Sequence, residues 1–203
     1  RGRARALPPA DGAEIRFLAG HALDLNQLNT LAKAIIRLPA ENGSITGLTH
    51  IRLALFGNGT TSILAPALIA SAARYGFAPE VIEAPYDQSM QAAVDPASQI
   101  NRASPELALL AFDRRLLLVP DNMDDAAAAT AAVDDAWEHL DAIRSTLAAI
   151  SGIPSILQTL PSPAVGTFGS FDTRLPGSPR ALAAAFNRRL SAALGESGDV
   201  LLD

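Results

Sequence analysis

The sequence predicts an α/β fold, a three-layer α/β/α sandwich built on a parallel sheet. Three observations carry that expectation. From residue 25 onward, short apolar runs alternate with longer segments whose apolar residues recur at helical spacing. The run Leu53-Ala-Leu-Phe56 stops at Gly57-Asn58-Gly59 and passes through Thr60-Thr61-Ser62 into an alanine- and leucine-rich segment. That is the pattern of a buried strand, a tight turn and a helix start. A chain of 203 residues, 49% hydrophobic and 18% charged, is long enough for one such domain with a proper core.

The elements follow in order. Residues 1–22 read as an N-terminal leader, proline- and alanine-rich over 1–13, and 23–203 as the domain. Leu25 to Leu38 carries Leu25, Leu28, Leu31, Ala32, Ile35 and Ile36 at helical spacing, with Asp24 as N-cap and Pro39 and Glu41-Asn42-Gly43-Ser44 as the stop. His50 to Phe56 is the first strand, Ile63 to Tyr75 a small-residue helix ended by Gly76, and Val81 to Ala84 the second strand. Asp95-Pro96-Ala97-Ser98 turns into a short helical piece. Leu107 to Phe112 is the third strand, and Leu116 to Pro120 either continues it past a bulge or forms a separate short segment. Asp124 to Ile150 is the longest periodic stretch, placing Val133, Trp137, Leu140, Ile143, Leu147 and Ile150 on one side behind an acidic start. Ser155 to Thr159 is the fourth strand. Residues 161–178, rich in Pro, Gly and Ser, form a loop long enough to be functional. Pro179 to Leu194 is a helix stopped by Gly195, and Val200-Leu201-Leu202 begins a last strand.

Composition narrows the classes of function. A net charge of -5 argues against a nucleic-acid surface, which needs clustered positive charge. Without cysteine there is no disulfide, thiolate metal site or cysteine nucleophile, which fits a cytoplasmic protein. No apolar run approaches the ~20 residues that span a bilayer. The basic start Arg1-Gly-Arg-Ala-Arg5 has no apolar core behind it and is not a secretory signal.

The turn Gly57-Asn58-Gly59-Thr60-Thr61 reads either as a phosphate or oxyanion cradle or as a purely structural turn. It is neither a P-loop nor a dinucleotide fingerprint. In a parallel sheet, Asp87 and Asp113 follow strand ends and reach the rim near Asn58, with Tyr86 and Gln88 beside Asp87. Arg114 and Arg115 either pair with Asp113 or bind an anion, and beside both stands the favoured reading of Asp113-Arg114-Arg115 as a solvated turn. A Ser-His-Asp triad needs a histidine after a strand end. His21 sits in the leader, His50 at the buried start of a strand and His139 inside the long helix, and all three read as structural. The acidic run Asp121 to Asp125 reads as capping residues rather than a metal site.

Several stretches together resemble the N-terminal domain of FkbH-like proteins. They are Leu25-Asn26-Gln27-Leu28, Gly57-Asn58-Gly59-Thr60-Thr61, Glu83-Ala84-Pro85-Tyr86-Asp87-Gln88 and Asp95-Pro96. Pro105, Leu157-Gln158-Thr159-Leu160-Pro161, Leu175-Pro176-Gly177-Ser178 and Asn187 continue the likeness, which covers roughly residues 23–203. The resemblance implies an SGNH-hydrolase-like α/β domain of flavodoxin-like topology, followed by a phosphatase domain of the haloacid dehalogenase (HAD) superfamily. It implies transfer of a glyceryl unit from a phosphorylated three-carbon intermediate to an acyl carrier protein in polyketide-type biosynthesis. The partners implied are the carrier protein and the HAD domain, with no nucleic acid and no membrane. Mg is expected in the HAD domain outside this chain, and no cofactor in this one. The HAD hallmark Asp-x-Asp-x-Thr does not occur here.

Set against the Gly-Asp-Ser of SGNH enzymes, Gly57 matches, Asn58 replaces the aspartate and Gly59 stands where the nucleophile belongs. No catalytic residue is therefore expected, and the binding surface is expected at Gly57, Asn58, Gly59, Thr60, Thr61, Tyr86, Asp87, Gln88, Asp113 and Arg114. Two alternatives stand beside this accessory role. One is an active esterase or acyltransferase using Thr60, Thr61 or Ser62; the other is a purely structural or dimerisation domain.

Overall fold

Strand and helix alternate as the apolar pattern requires. A computed structural model describes residues 10–42, 45–194 and 198–203. Its strands are β1 (Ala10–Asp11), β2 (Ile45–Thr46), β3 (Thr49–Phe56), β4 (Phe77–Glu83), β5 (Leu107–Leu110), β6 (Ser155–Gln158) and β7 (Val200–Leu202). The helices are α1 (Gly12–Ala19), α2 (Leu25–Asn42), α3 (Thr61–Ala73), α4 (Ser89–Val94), α5 (Gln99–Ala103), α6 (Ala126–Ser151) and α7 (Pro179–Ala193). Five strands form the main sheet in the order β4-β3-β5-β6-β7. Counted along the chain this is order 2-1-3-4-5, the flavodoxin-like winding. The sheet is parallel: Leu109 of β5 lies opposite Ile156 of β6, and Leu157 of β6 opposite Leu201 of β7. With helices between the strands, this is the expected three-layer α/β class.

By contacts the chain divides into two compact units. One comprises the chain up to Leu53 together with Thr60–Glu83. Its core gathers Ile15 and Ala19 of α1, Leu31, Ala32 and Ile35 of α2, Ile45, Ile69, Ala70 and Ala73 of α3, and Ala78. The Leu25-Asn26-Gln27 motif has a simple local cause. Asp24 Oδ1 accepts from Gln27 N at 2.9 Å while Gln27 Oε1 accepts from Asp24 N at 2.9 Å, a reciprocal capping box that starts α2. Gly76, at φ +88°, makes the left-handed turn from α3 into β4. β4 tolerates Pro79 because it is an edge strand, where a missing N–H breaks no ladder bond.

The second unit comprises Ala54–Gly59 and Ala84–Asp203. Leu55, Phe56, Leu110, Leu157, Ile143, Leu147, Phe186 and Leu190 are each less than 2% exposed and form its interior. Three side-chain amides or hydroxyls organise its loops. Asn187 of α7 holds both backbone groups of Leu160, accepting from its N–H at 2.8 Å and donating to its carbonyl at 2.9 Å. Asn101 donates to the carbonyls of Ala93 and Asp95 at 3.0 and 2.8 Å. Ser178 caps α7 ahead of Pro179 and donates to the Asp172 carbonyl at 2.6 Å. In Leu175-Pro176-Gly177-Ser178 the glycine is a matter of space. A Cβ on Gly177 would stand 2.6 Å from Pro120 and 2.8 Å from the Met123 backbone, whose carbonyl accepts from Gly177 N.

The structure corrects several expectations. α2 runs through Pro39 to Asn42, and Gly43, Ser44 and Gly195 lie outside the described residues, as do residues 1–9. Residues 12–19, read as leader, form α1, capped by Asp11. β4 begins at Phe77 rather than Val81, and β5 ends at Leu110, two residues before Phe112. Leu116 to Pro120 does not continue the strand; a 3-10 turn over Arg114–Leu116 intervenes. α4 has no clear periodicity in sequence and was absent from the predicted elements. The loop 161–178 contains a 3-10 turn at Gly169–Thr173. Ile150 is 50% exposed, off the buried stripe of α6, and His50 is exposed rather than buried.

Candidate functional site

Parallel strands place the loops that follow them along one rim of the sheet. In the second unit these loops are Gly57-Asn58-Gly59 after β3, Pro85 to Gln88 after β4, and Ala111 to Arg115 after β5. Asn58 fastens the first to the third. Its Oδ1 accepts from Asp113 N at 2.9 Å and its Nδ2 donates to Asp113 O at 3.4 Å. An amide side chain, with an acceptor oxygen and a donor NH2 side by side, serves a backbone donor and acceptor together.

Asp113 is in turn held by Arg115. Its carboxylate accepts from Arg115 N at 2.9 Å and from the guanidinium through Nε at 3.0 Å and Nη2 at 2.7 Å. The Arg115 hydrogen bond, opposed by partial burial, keeps the Asp113 carboxyl below the usual carboxylate range. Of the two arginines considered for an anion, Arg115 is therefore the one consumed by Asp113, while Arg114 is exposed in the same turn. Gly59 belongs to this knot: a Cβ there would lie 2.6 Å from Arg115 Nη2.

A cavity of about 630 Å³ opens beside the knot. Gly57, Asn58, Asp87 and Gln88, all expected from sequence, line it. Ser89, Gln91, Phe112, Arg115, Asp135 and His139 complete its polar and aromatic wall, with Met90 and Leu118 as apolar parts. Asp87 adopts φ +57°, the left-handed region that aspartate tolerates better than most residues. Ser89 is buried, its hydroxyl donating to the Gly57 carbonyl at 3.5 Å. The other expected residues lie off the cavity. Gly59, Asp113 and Arg114 are not in its wall, and Tyr86 is 68% exposed.

Thr60 and Thr61 belong to the first unit. Thr60 is the N-cap of α3 by backbone but makes no side-chain capping bond, and the Thr61 hydroxyl donates to the Glu83 carboxylate instead of the helix start. Neither therefore caps by its side chain.

His139, which the sequence places inside a helix as a structural residue, stands in the cavity wall because α6 presents Ala132, Asp135, Ala136 and His139 at helical spacing to the cavity. His139 packs edge-on against Phe112, centroids 6.0 Å apart. The i, i+3, i+4, i+7 stripe was the signal that would have found it. Of the acidic run ahead of α6, Asp125 caps the helix: its Oδ1 accepts from Ala127 N and Ala128 N. Among the described residues, no group of three or more His, Asp or Glu side chains is placed to hold a metal ion.

An α/β domain of flavodoxin-like strand order, with a mixed polar and apolar cavity at the strand ends, is the class that these features define. Its fold is similar to that in the crystal structure of the N-terminal part of the protein BF1531 from Bacteroides fragilis, which contains a phosphatase domain and is complexed with Mg. The TM-score is 0.66 at 17% sequence identity, covering 88% of this chain and 44% of that one, so the chain spans less than half the length of its structural neighbour. No family model matches the sequence, and no curated protein matches it. No helix among the described residues is long and apolar enough to cross a membrane.

Proposed function

We propose that the chain is an accessory, non-catalytic N-terminal domain of an FkbH-like protein, of SGNH-hydrolase-like ancestry. The whole protein transfers a glyceryl unit from a phosphorylated three-carbon intermediate to an acyl carrier protein, and a HAD phosphatase domain with its Mg performs the chemistry. This domain holds the carrier protein close to that chemistry, in the cytoplasm. One observation carries the reading: the turn after β3, where a serine hydrolase keeps its nucleophile, is built as a clamp. Gly59 has no attacking atom, and both ends of the Asn58 amide are spent on the Asp113 backbone. The sequence resemblance and the likeness of fold to a protein containing a phosphatase domain support the same reading.

The test is titration of the chain with a phosphopantetheinylated carrier protein and, separately, with phosphoglycerate. Saturable binding of the carrier is expected; failure to bind the carrier removes the reading, whatever phosphoglycerate does.

A second reading is hydrolytic. The Thr61 hydroxyl donates to the Glu83 carboxylate, the contact by which a base activates a nucleophile. Ser89, whose hydroxyl donates to the Gly57 carbonyl, shares its cavity wall with Asp135 and His139. Labelling of Thr61 or Ser89 by a fluorophosphonate, with turnover of an aryl ester, would install this reading in place of the first.

A further inference from the structure

We infer that the cavity beside Asn58 takes an extended, uncharged chain bearing amide or hydroxyl groups, and does not take a phosphate or carboxylate anion. The inference rests on the proposed reading, because the pantetheine part of a carrier protein's prosthetic arm, beyond its phosphodiester, is such a chain and the phosphorylated three-carbon unit is not.

The first argument is charge. Among the described residues in the wall, Arg115 is the sole arginine or lysine, and its guanidinium is doubly bound to Asp113. Recognition of a phosphate draws on uncommitted guanidinium or ammonium N–H groups. Against this the wall presents the carboxylates of Asp87 and Asp135. An anion entering here meets more negative than available positive charge.

The second argument is the kind of polar group on offer. Gln88 and Gln91 both line the cavity and are exposed, and their side chains make no hydrogen bond to the rest of the protein among the described residues. Each offers a donor and an acceptor, the complement of a ligand amide. Phe112, Leu116, Leu118 and Met90 supply apolar surface for the methylenes between such groups.

The third argument is shape. A second cavity, of about 620 Å³, shares Gln88, Met90 and Gln91 with the first. It adds one acidic side chain, Asp95, and no lysine or arginine. Two neighbouring hollows whose walls share a pair of glutamines suit a long ligand better than a compact one.

The experiment is an NMR titration of the isotope-labelled chain with pantetheine and, in separate samples, with inorganic phosphate and 3-phosphoglycerate. Pantetheine is expected to give saturable shifts at Gln88, Gln91, Leu118 and His139. Its affinity is expected to fall about tenfold in Gln91→Ala and in Leu118→Asp. Both residues are exposed, so these variants keep the fold, and their amide spectra check it. Phosphate and phosphoglycerate are expected to leave the cavity signals unmoved. Saturation by either anion, or no response to pantetheine, overturns the inference. The two readings fail separately: carrier binding with no pantetheine response removes only the cavity assignment, and pantetheine binding without carrier binding removes only the carrier reading.

Discussion

Asn58 is an amide spanning a backbone N–H and a backbone carbonyl of the same residue, and that geometry sets its cost of loss. Asn58→Ala strips two partners from the partly buried Asp113 backbone and is expected to lower stability by about 1–3 kcal/mol, read by urea denaturation. Asn58→Asp, although it restores the residue of a hydrolase turn, is expected to be no better, since a carboxylate cannot donate to the Asp113 carbonyl. Asp113 adds a pH dependence. Its folded pKa lies below the unfolded value, so its contribution is complete above about pH 4 and is lost as pH falls through the folded value. Urea midpoints for Asp113→Asn and the parent, measured at pH 7 and pH 3, are expected to differ at pH 7 and to differ by less at pH 3. The pairing of loop residues around Asn58 was legible in the sequence because parallel strands bring their C-terminal loops to one rim. Which arginine pairs with Asp113 was not legible. Arg114 and Arg115 are chemically identical, and only the 3-10 turn at Arg114–Leu116 folds the second back onto the carboxylate.

At the scale of elements, α6 is fastened to the sheet by Arg144. Its guanidinium reaches Asp199 at 2.7 Å and Asp141 at 2.6 Å, and Asp199 also accepts from Ser155 N at 2.7 Å, where β6 begins. Burial opposes the charge on Arg144, and its hydrogen bonds to Asp199 and Asp141 outweigh this, raising its pKa. Arg144→Ala leaves Asp199, whose side chain is 9% exposed, without this cation, at an expected cost of about 2–3 kcal/mol in urea denaturation. The cost should exceed that of Arg189→Ala, whose pair with Asp134 is longer at 3.8 Å and half exposed. α6 itself was plain in sequence from its apolar stripe and acidic start. α4 was not, because a six-residue helix gives too few turns for a period to register. Pro39 misled for a related reason: proline disfavours a helix locally, but it sits in α2 without ending it.

For the molecule as a whole, the alternation of strands and helices around a parallel sheet was the most legible property. The strand order β4-β3-β5-β6-β7 was not read from that alternation; it agrees with the flavodoxin-like topology that the resemblance implies. The cavity was half legible. The loop residues Gly57, Asn58, Asp87 and Gln88 were expected from their positions after strands, whereas Asp135 and His139 reach it from a helix distant in sequence. The proposed role makes this cavity a place of binding without chemistry, and calorimetric titration of the 203-residue chain with a phosphopantetheinylated acyl carrier protein tests it most directly. Saturable binding that weakens about tenfold in Leu118→Asp, and no thioester hydrolysis in a second sample holding the acyl-loaded carrier, is the expected result. Absence of binding, or release of the acyl group by the chain alone, would contradict it.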